Sequence, residues 1–347
     1  MSNKHQLSYL SLSGTAFEIG SALGKYGADS VHDFLLGTEV WARIMRWRGS
    51  PQVTQMAKLV AERFPRYLQE LQGLAHGLGV PFEDVFLWNC RGDLDAMVPD
   101  GCTTIQIPGE TGTRFLHNED GLPGFAGHCA IAEVSPQGGK RFASFVYPGS
   151  LPGHTFAVSG AGLAMTVNNL RLRSAEPGLP RMVLTRALLD AGDLEAALGL
   201  LESVPRSGGF HLTLAQQGSA RLMSIEFSSK SCSIREITRP SLHANHRIHP
   251  KADDLPQVVT RSSEMRQQRG DQLLADAQGP LDNPLAILHD RSEPTYPIYR
   301  ESATDPDDEN TLATADISVG LDGITWDVYT DLDRLPNFRV INASRKT

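Results

Sequence analysis

The run Asp100-Gly101-Cys102-Thr103-Thr104 holds the residues best suited to covalent chemistry. Cutting the Gly101–Cys102 bond would leave Cys102 with a free α-amine beside its thiol. Such an amine titrates at about pH 7.7–8, so roughly a fifth to a third of it is neutral near pH 7.4, against about 0.1% of a lysine. One residue then supplies both nucleophile and base, without a histidine. A preceding glycine adds backbone latitude for the strained geometry in which sulfur reaches the carbonyl before it. The plainer reading of the same residues is a small buried thiol on a core strand.

Other arrangements fall short of a site. Gly20-Ser-Ala-Leu-Gly24-Lys25-Tyr26 has three residues between its glycines where a phosphate loop needs four. Tyr26 also stands where Ser or Thr must reach magnesium, so these glycines read as helix-packing positions. Ser150 in PGSLPG lacks the glycine two residues earlier that a nucleophile elbow requires, and reads as a turn serine. His243, His246 and His249 invite a metal reading, and with it a metal-dependent hydrolase. A strand would send 243 and 246 to opposite faces, and no further Cys or His pair completes a set. No metal and no cofactor is expected.

These residues need elements to position them, and the chain changes texture near residue 100. From Ala16 to about Cys90 apolar residues recur at threes and fours, so the first hundred residues read as mostly helix, with Gly77 and Gly79 ending the longest run. After Gly101 come short β-prone runs: CTTIQI, RFLHNED, HCAIAEV, RFASFVYP, HTFAVS and GLAMTVNN. A helical pair spans Pro180 to Leu201. Strands resume at FHLTLAQ, ARLMSIEFS and LHANHRI, a helix covers about Val259 to Leu274, and TADISVGLD with GITWDVYTDL closes the chain. DPDDEN at 305–310 reads as a solvated loop. Strand blocks around one helical pair predict a layered core in a single domain, 1–347.

With 347 residues, 40% apolar and 21% charged, the composition is globular. Forty acidic against 32 basic residues give a net charge of −8, which disfavours coating a phosphate backbone, so no nucleic-acid partner is expected. The opening MSNKHQLSYLSLSG lacks a secretory apolar core, and no run approaches the roughly 20 apolar residues that span a bilayer. Four scattered cysteines make no disulfide framework. A cytoplasmic protein without a membrane partner is the expectation.

Several ordered motifs resemble one known family. Gly14-Thr15-Ala16-Phe17-Glu18-Ile19-Gly20, Phe82 to Asn89, Asp100-Gly101-Cys102-Thr103-Thr104, His117-Asn118-Glu119-Asp120, Gly162 to Leu170, Pro180 to Ala191, Ile225 to Ser228 and His243-Ala244-Asn245-His246 are similar to segments of the isopenicillin N acyltransferase-like family of N-terminal nucleophile hydrolases. The resemblance runs over nearly the whole chain, and the Asp-Gly-Cys-Thr-Thr run is its most specific part. It implies an α+β fold, a four-layer αββα sandwich with a helical N-terminal segment. It also implies self-cleavage between Gly101 and Cys102 into 1–101 and 102–347, held together as an α/β heterodimer.

The resemblance further implies roles. Cys102 would be the nucleophile, Asn245 the donor to the oxyanion of the tetrahedral intermediate, and Asp120 the carboxylate that orients the α-amine. Thr103, Glu119 and Asn168 would line the substrate pocket. Penicillin-forming members carry an arginine before a late Thr-Leu pair, where this chain reads Asp307-Asp308-Glu309-Asn310-Thr311-Leu312; Arg300 corresponds to a different family position. An aromatic residue is usual where Glu119 stands. Both differences point away from penicillin, and Glu119 hints at a cationic amine on the substrate. The implied activity is hydrolysis of a small linear amide or N-acyl amine, β-alanyl amines included, through an acyl-thioester. Acyl transfer from an acyl-CoA is the enzymatic alternative, and a non-catalytic binding protein on the same scaffold is the alternative from another class.

Overall fold

Helix α1 (Ala16–Asp33) begins where Thr15 and Glu18 close a capping box: the Glu18 amide donates to Thr15 Oγ1, and Thr15 N donates back to Glu18 Oε2 at 2.8 Å. The remaining helices are α2 (Glu39–Met45), α3 (Pro51–Arg63), α4 (Pro65–Leu78), α5 (Phe82–Asn89), α6 (Arg91–Leu94), α7 (Arg181–Leu188), α8 (Leu194–Ser203), α9 (Arg261–Asp276) and α10 (Leu285–Leu288). The strands are β1 (Ser8–Gly14), β2 (Asp100–Ile107), β3 (Gly112–Gly121), β4 (Ala130–Pro136), β5 (Phe142–Val146), β6 (Phe156–Ser159), β7 (Leu163–Asn169), β8 (Phe210–Gln216), β9 (Leu222–Phe227), β10 (Cys232–Glu236), β11 (Ser241–His243), β12 (Asn310–Gly320), β13 (Ile324–Tyr329), β14 (Phe338–Ile341) and β15 (Ser344–Arg345). This computed structural model describes residues 7–173, 176–250, 255–277, 281–302, 304, 306–332 and 335–345. Residues 1–6 of the opening segment and Asp305 lie outside the described residues.

One sheet runs β1-β4-β5-β6-β7-β8-β9-β10 and the other β11-β2-β3-β12-β13-β14-β15. Apart from the parallel β1–β4 pair, the neighbouring strands are antiparallel. Helices α1 and α8 lie against β1, β4 and β8, while α9 and α10 cover β11 and β3 on the far side. Helix, sheet, sheet, helix is the expected αββα order. Among the described residues no helix is long and apolar enough to cross a membrane.

Glycines let α1 and α4 touch backbone to backbone. A Cβ on Gly20 would lie 1.9 Å from Glu70 O, and one on Gly73 would lie 2.0 Å from Phe17 O. Gly24 and Gly77 make the same close approach one turn on, so the first run of glycines is a packing seam. Gly77 therefore does not end its helix as the sequence reading expected; Gly79 does, in the left-handed conformation with φ 68°.

Two further expectations are corrected. The strand expected across LHANHRI stops at His243, because α9 takes the next backbone donors: Ala244 N donates to Gln267 Oε1 and Asn245 N to Ser263 Oγ, each at 2.9 Å. The DPDDEN segment is only partly solvated: among its described residues Pro306 and Asp308 are exposed, but its other acidic side chains turn inward. Asp307 and Glu309 are buried, with Arg171 Nη2 lying 2.7 Å from Glu309 Oε1 and 3.8 Å from Asp307 Oδ2. Strands β1, β10, β14 and β15 were not read from the sequence.

Candidate active site

Strand alternation divides the residues around Cys102 between two faces. Cys102, Thr104 and Gln106 face the other sheet: Thr104 Oγ1 donates to Asn168 Oδ1 on β7 at 2.7 Å, and Gln106 Nε2 to Thr213 Oγ1 on β8 at 2.8 Å. Gly101, Thr103 and Ile105 face α9 and α10. On β3 the register sets Glu119 opposite Cys102 and Asp120 opposite Gly101. Glu119 thus accompanies the sulfur, while Asp120 stands on the other face beside the glycine.

The Cys102 thiol is buried, and burial pushes its pKa well up; the carboxylate of Asp120 acts the same way, while a hydrogen bond from the Asn169 backbone acts against it. Its Sγ lies 3.9 Å from Glu119 Oε2. The proton positions around Glu119 follow from the hydrogen bonds. Asn168 Nδ2 donates to His243 O at 3.0 Å, so its Oδ1 is the acceptor facing Thr104. With its own proton used there, Thr104 Oγ1 must accept from His117 Nδ1 at 2.8 Å. Burial lowers the His117 pKa to about 3, so the imidazole is neutral and its Nε2 is bare. The proton in the 2.9 Å contact between His117 Nε2 and Glu119 Oε2 therefore belongs to Glu119. Burial raises that carboxyl well above the usual range, and Tyr147 OH donates to its other oxygen at 2.8 Å. Glu119 is a buried neutral acid with both oxygens engaged. It offers no free charge to a substrate amine, contrary to the hint taken from sequence.

The backbone nitrogen of Cys102 has an unusual partner. Strand β11 ends opposite Thr104, so no neighbouring strand is left to accept from Cys102 N. Asn245 Oδ1 accepts from it instead, at 2.9 Å. The same oxygen receives Arg266 Nη2 at 2.7 Å, and Asn245 Nδ2 donates to Asn169 O at 3.2 Å. Arg266 Nη1 also donates to Cys102 O at 2.6 Å and to Thr103 Oγ1 at 2.8 Å, so one buried guanidinium binds three groups around the junction.

Gly101 is extended, outside the left-handed region, so its resting conformation does not itself require glycine. Space does: a Cβ would lie 2.0 Å from Glu309 Oε2 and 3.2 Å from Asp120 Cβ. Asp120 Oδ1 accepts from Thr311 Oγ1 at 2.6 Å. Burial pushes the Glu309 carboxyl up to about 7, against the pull of Arg171.

The fold thus gathers Gly101, Cys102, Thr103, Glu119, Asp120 and Asn245 at one end of β2 and β3. Asn168 lies further along, tied to Thr104 and, through Oδ1, to His211 at 3.2 Å. Thr103, Glu119 and Asn168 are all buried with partners. Arg266, Glu309, Arg171, His117 and Tyr147 were not singled out from sequence. The face of α9 that carries Arg266 buries Ser262, Ser263, Gln267 and Gly270, so no apolar stripe marks it as inward-facing. The histidines of HANHRIH do not converge on one point. Among the described residues the group whose potential ligand atoms do converge is Cys102, His117 and Glu119, within 4.8 Å of one another, and its 2.9 Å nitrogen–oxygen contact holds a proton.

Residues 108–326 match the protein family described as acyl-coenzyme A:6-aminopenicillanic acid acyl-transferase. That span starts just after Cys102 and includes Asp120, Asn168 and Asn245. The chain is 29% identical over 215 residues to the beta-alanyl-dopamine/carcinine hydrolase of Drosophila melanogaster, a match covering 54% of this chain and 55% of that protein. The chain therefore spans about half the length of the curated relative it matches. The penicillin V acylase of Agrobacterium tumefaciens aligns with 71% of this chain and 89% of its own, at a TM-score of 0.42 and 16% identity.

Proposed function

Because the chain belongs to the acyl-coenzyme A:6-aminopenicillanic acid acyl-transferase family, we propose that it is a self-processing cysteine amidohydrolase of small linear amides, with Cys102 as its nucleophile. The observation that carries this reading is the side-chain acceptor on Cys102 N. An ordinary strand nitrogen is satisfied by a neighbouring strand, and here Asn245, braced by Arg266, takes that place. The nitrogen that becomes the α-amine is already oriented before it is free.

In the first step Cys102 Sγ attacks the Gly101 carbonyl carbon. The bond to Cys102 N breaks, the thiol proton passes to that nitrogen, and water hydrolyses the thioester to leave Gly101 with a carboxylate. In each later turnover the sulfur attacks a substrate amide, the α-amine relays the proton to the departing amine, and water releases the acid. Asn245 would donate to the developing oxyanion through Nδ2, which in the uncut chain donates to Asn169 O. Asp120, beside Gly101, would act on the α-amine only after the cut. Strand β1 of the 1–101 piece is hydrogen-bonded along β4 of the 102–347 piece, which supports a lasting heterodimer. All four cysteines are free thiols, in keeping with a reducing, cytoplasmic setting.

The test is the reduced, denatured mass of the purified protein beside its Cys102→Ala variant. Fragments of 101 and 246 residues in the first and a single chain in the second are expected. A single chain in both would remove the α-amine base and favour a non-catalytic binding protein. The N-β-alanyl amines named for the fly relative are the first small amides to assay. The family description also names acyl transfer, and the ratio of amide to acid formed when acceptor amines are supplied separates transfer from hydrolysis.

A further inference from the structure

Glu226 lies on β9, in register with His211 of β8, and its side chain is buried. One of its oxygens, Oε1, accepts three hydrogen bonds: from His243 Nε2 at 3.0 Å, from Ile248 N at 2.6 Å and from His249 N at 3.1 Å. A single oxygen thus joins both ends of the segment 243–249. Asn245, which accepts from Cys102 N at 2.9 Å, lies between them. From the other side Ser263 Oγ on α9 meets Asn245 N at 2.9 Å and His246 Nδ1 at 2.8 Å.

The partners fix the protons of the Glu226–His243 pair. His243 Nδ1 lies 2.9 Å from Ala244 O, which can only accept, so Nδ1 is protonated. A proton on Glu226 Oε1 would compete with two backbone donors for the same oxygen. A proton on Oε2 would have no acceptor, since that atom has no hydrogen-bond partner among the described residues. Glu226 is therefore ionised, and His243 carries a proton on each nitrogen. Burial opposes ionisation of Glu226, yet His243 and the Ile248 amide hold its carboxyl below the ordinary value. The His243 ring stacks on that of His211 at 3.5 Å and 6°. Burial, and next the neighbouring His243, push His211 well down, so His211 is the neutral member of the stack. Hydrogen bonds to a charged group are about twice as strong as neutral ones, which makes Glu226 the firmest tie on the segment.

Resting on the part given to Asn245 above, we infer that Glu226 is a positioning residue for the nucleophile: its carboxylate, paired with His243, closes the segment that holds Asn245 against Cys102 N. Glu226 acts through Asn245 and not on the reacting atoms. Glu226→Gln keeps the size and removes the charge. The two backbone donors then have an ordinary amide oxygen, His243 loses its counter-ion, and the hold on Asn245 loosens.

The experiment has two readouts. In the uncut Cys102→Ala chain, hydrogen exchange of the residue-102 amide reports on its bond to Asn245. Exchange of the Phe145 amide, in the core on β5, follows the stability of the whole fold. Glu226→Gln should speed exchange at 102 at least about 10-fold more than at Phe145, whereas a merely structural role speeds both alike. The second readout is self-cleavage, followed by intact mass during cell-free synthesis of the chain with Cys102 in place. Glu226→Gln should cut about 10- to 100-fold more slowly, the equivalent of one charge-assisted hydrogen bond. Glu226→Asp, which keeps the charge on a shorter arm, should fall between and serves for both readouts if the Gln variant fails to fold. Cutting at the natural rate, or slower cutting without a selective change at 102, overturns the positioning role and leaves self-processing standing. A natural chain that stays whole overturns both.

Discussion

Gly101→Ala probes the one place where a missing side chain is needed at the junction. The added methyl carbon would lie 2.0 Å from Glu309 Oε2, while ordinary contact begins near 3.4 Å, so the carboxylate must retreat by more than 1 Å. Its other oxygen is held 2.7 Å from Arg171 Nη2. Stretching that pair by about 1 Å weakens the attraction by roughly 1.5–2 kcal/mol at an effective dielectric of about 20. The charge-assisted hydrogen bond, worth about 1.5–3 kcal/mol, is lost in the same movement, so the two figures overlap and the total is about 2–3 kcal/mol. At about 2.1 cal/mol/K per residue of unfolding entropy, a chain of 347 residues then melts about 3–4 °C lower. The assay is scanning calorimetry at pH 8, where Glu309 is ionised, in a Cys102→Ala background that keeps the chain whole. Adding Glu309→Ala removes the clash, so Gly101→Ala on top of it should lower Tm by less than about 1 °C. An undiminished drop in the double variant, or no drop in the single one, would refute the steric account of Gly101.

Three further outcomes are expected. Glu309 has a folded pKa of about 7 against an ordinary 4.5, so the folded state binds its proton more tightly. Its contribution is complete below about pH 4.5 and is lost as pH rises through about 7, and Glu309→Gln should flatten the fall in uncut-chain stability between about pH 5 and 7.5. Because Glu119 is a neutral donor to His117 and an acceptor from Tyr147, Glu119→Gln keeps both bonds and should shift denaturation by less than about 1 kcal/mol, whereas Glu119→Ala strands buried partners and should lose about 2–3 kcal/mol; equal losses would mean that Glu119 is charged. Gly73→Ala, whose methyl meets Phe17 O at 2.0 Å, should destabilise by about 3 kcal/mol, while Gly199→Ala on α8, with nothing within 4 Å, should stabilise by about 0.5–1 kcal/mol in the same melting assay.

The local code of this chain was legible where neighbours in sequence decide the outcome. The helical texture of the first hundred residues, the packing glycines of α1, and β2 to β7 all follow from periodicity and turn residues a few positions away. The Gly-Cys junction could be singled out as a candidate from sequence too, because thiol and prospective amine belong to one residue. The sequence reading went astray where distant residues compete. It carried a strand through HANHRI, which Gln267 and Ser263 end from a helix some twenty residues later. It sent DPDDEN to solvent, although Arg171 draws Asp307 and Glu309 inward from 138 residues away in the case of Glu309. It assigned a charge to Glu119 that depends on Thr104, Asn168 and His117 together. Composition and spacing settle which groups are present and which face of a strand they occupy. Whether a carboxyl is ionised, and whether an arginine is a surface charge or a buried clamp on a strand, depends on burial and on partners that only chain folding brings together.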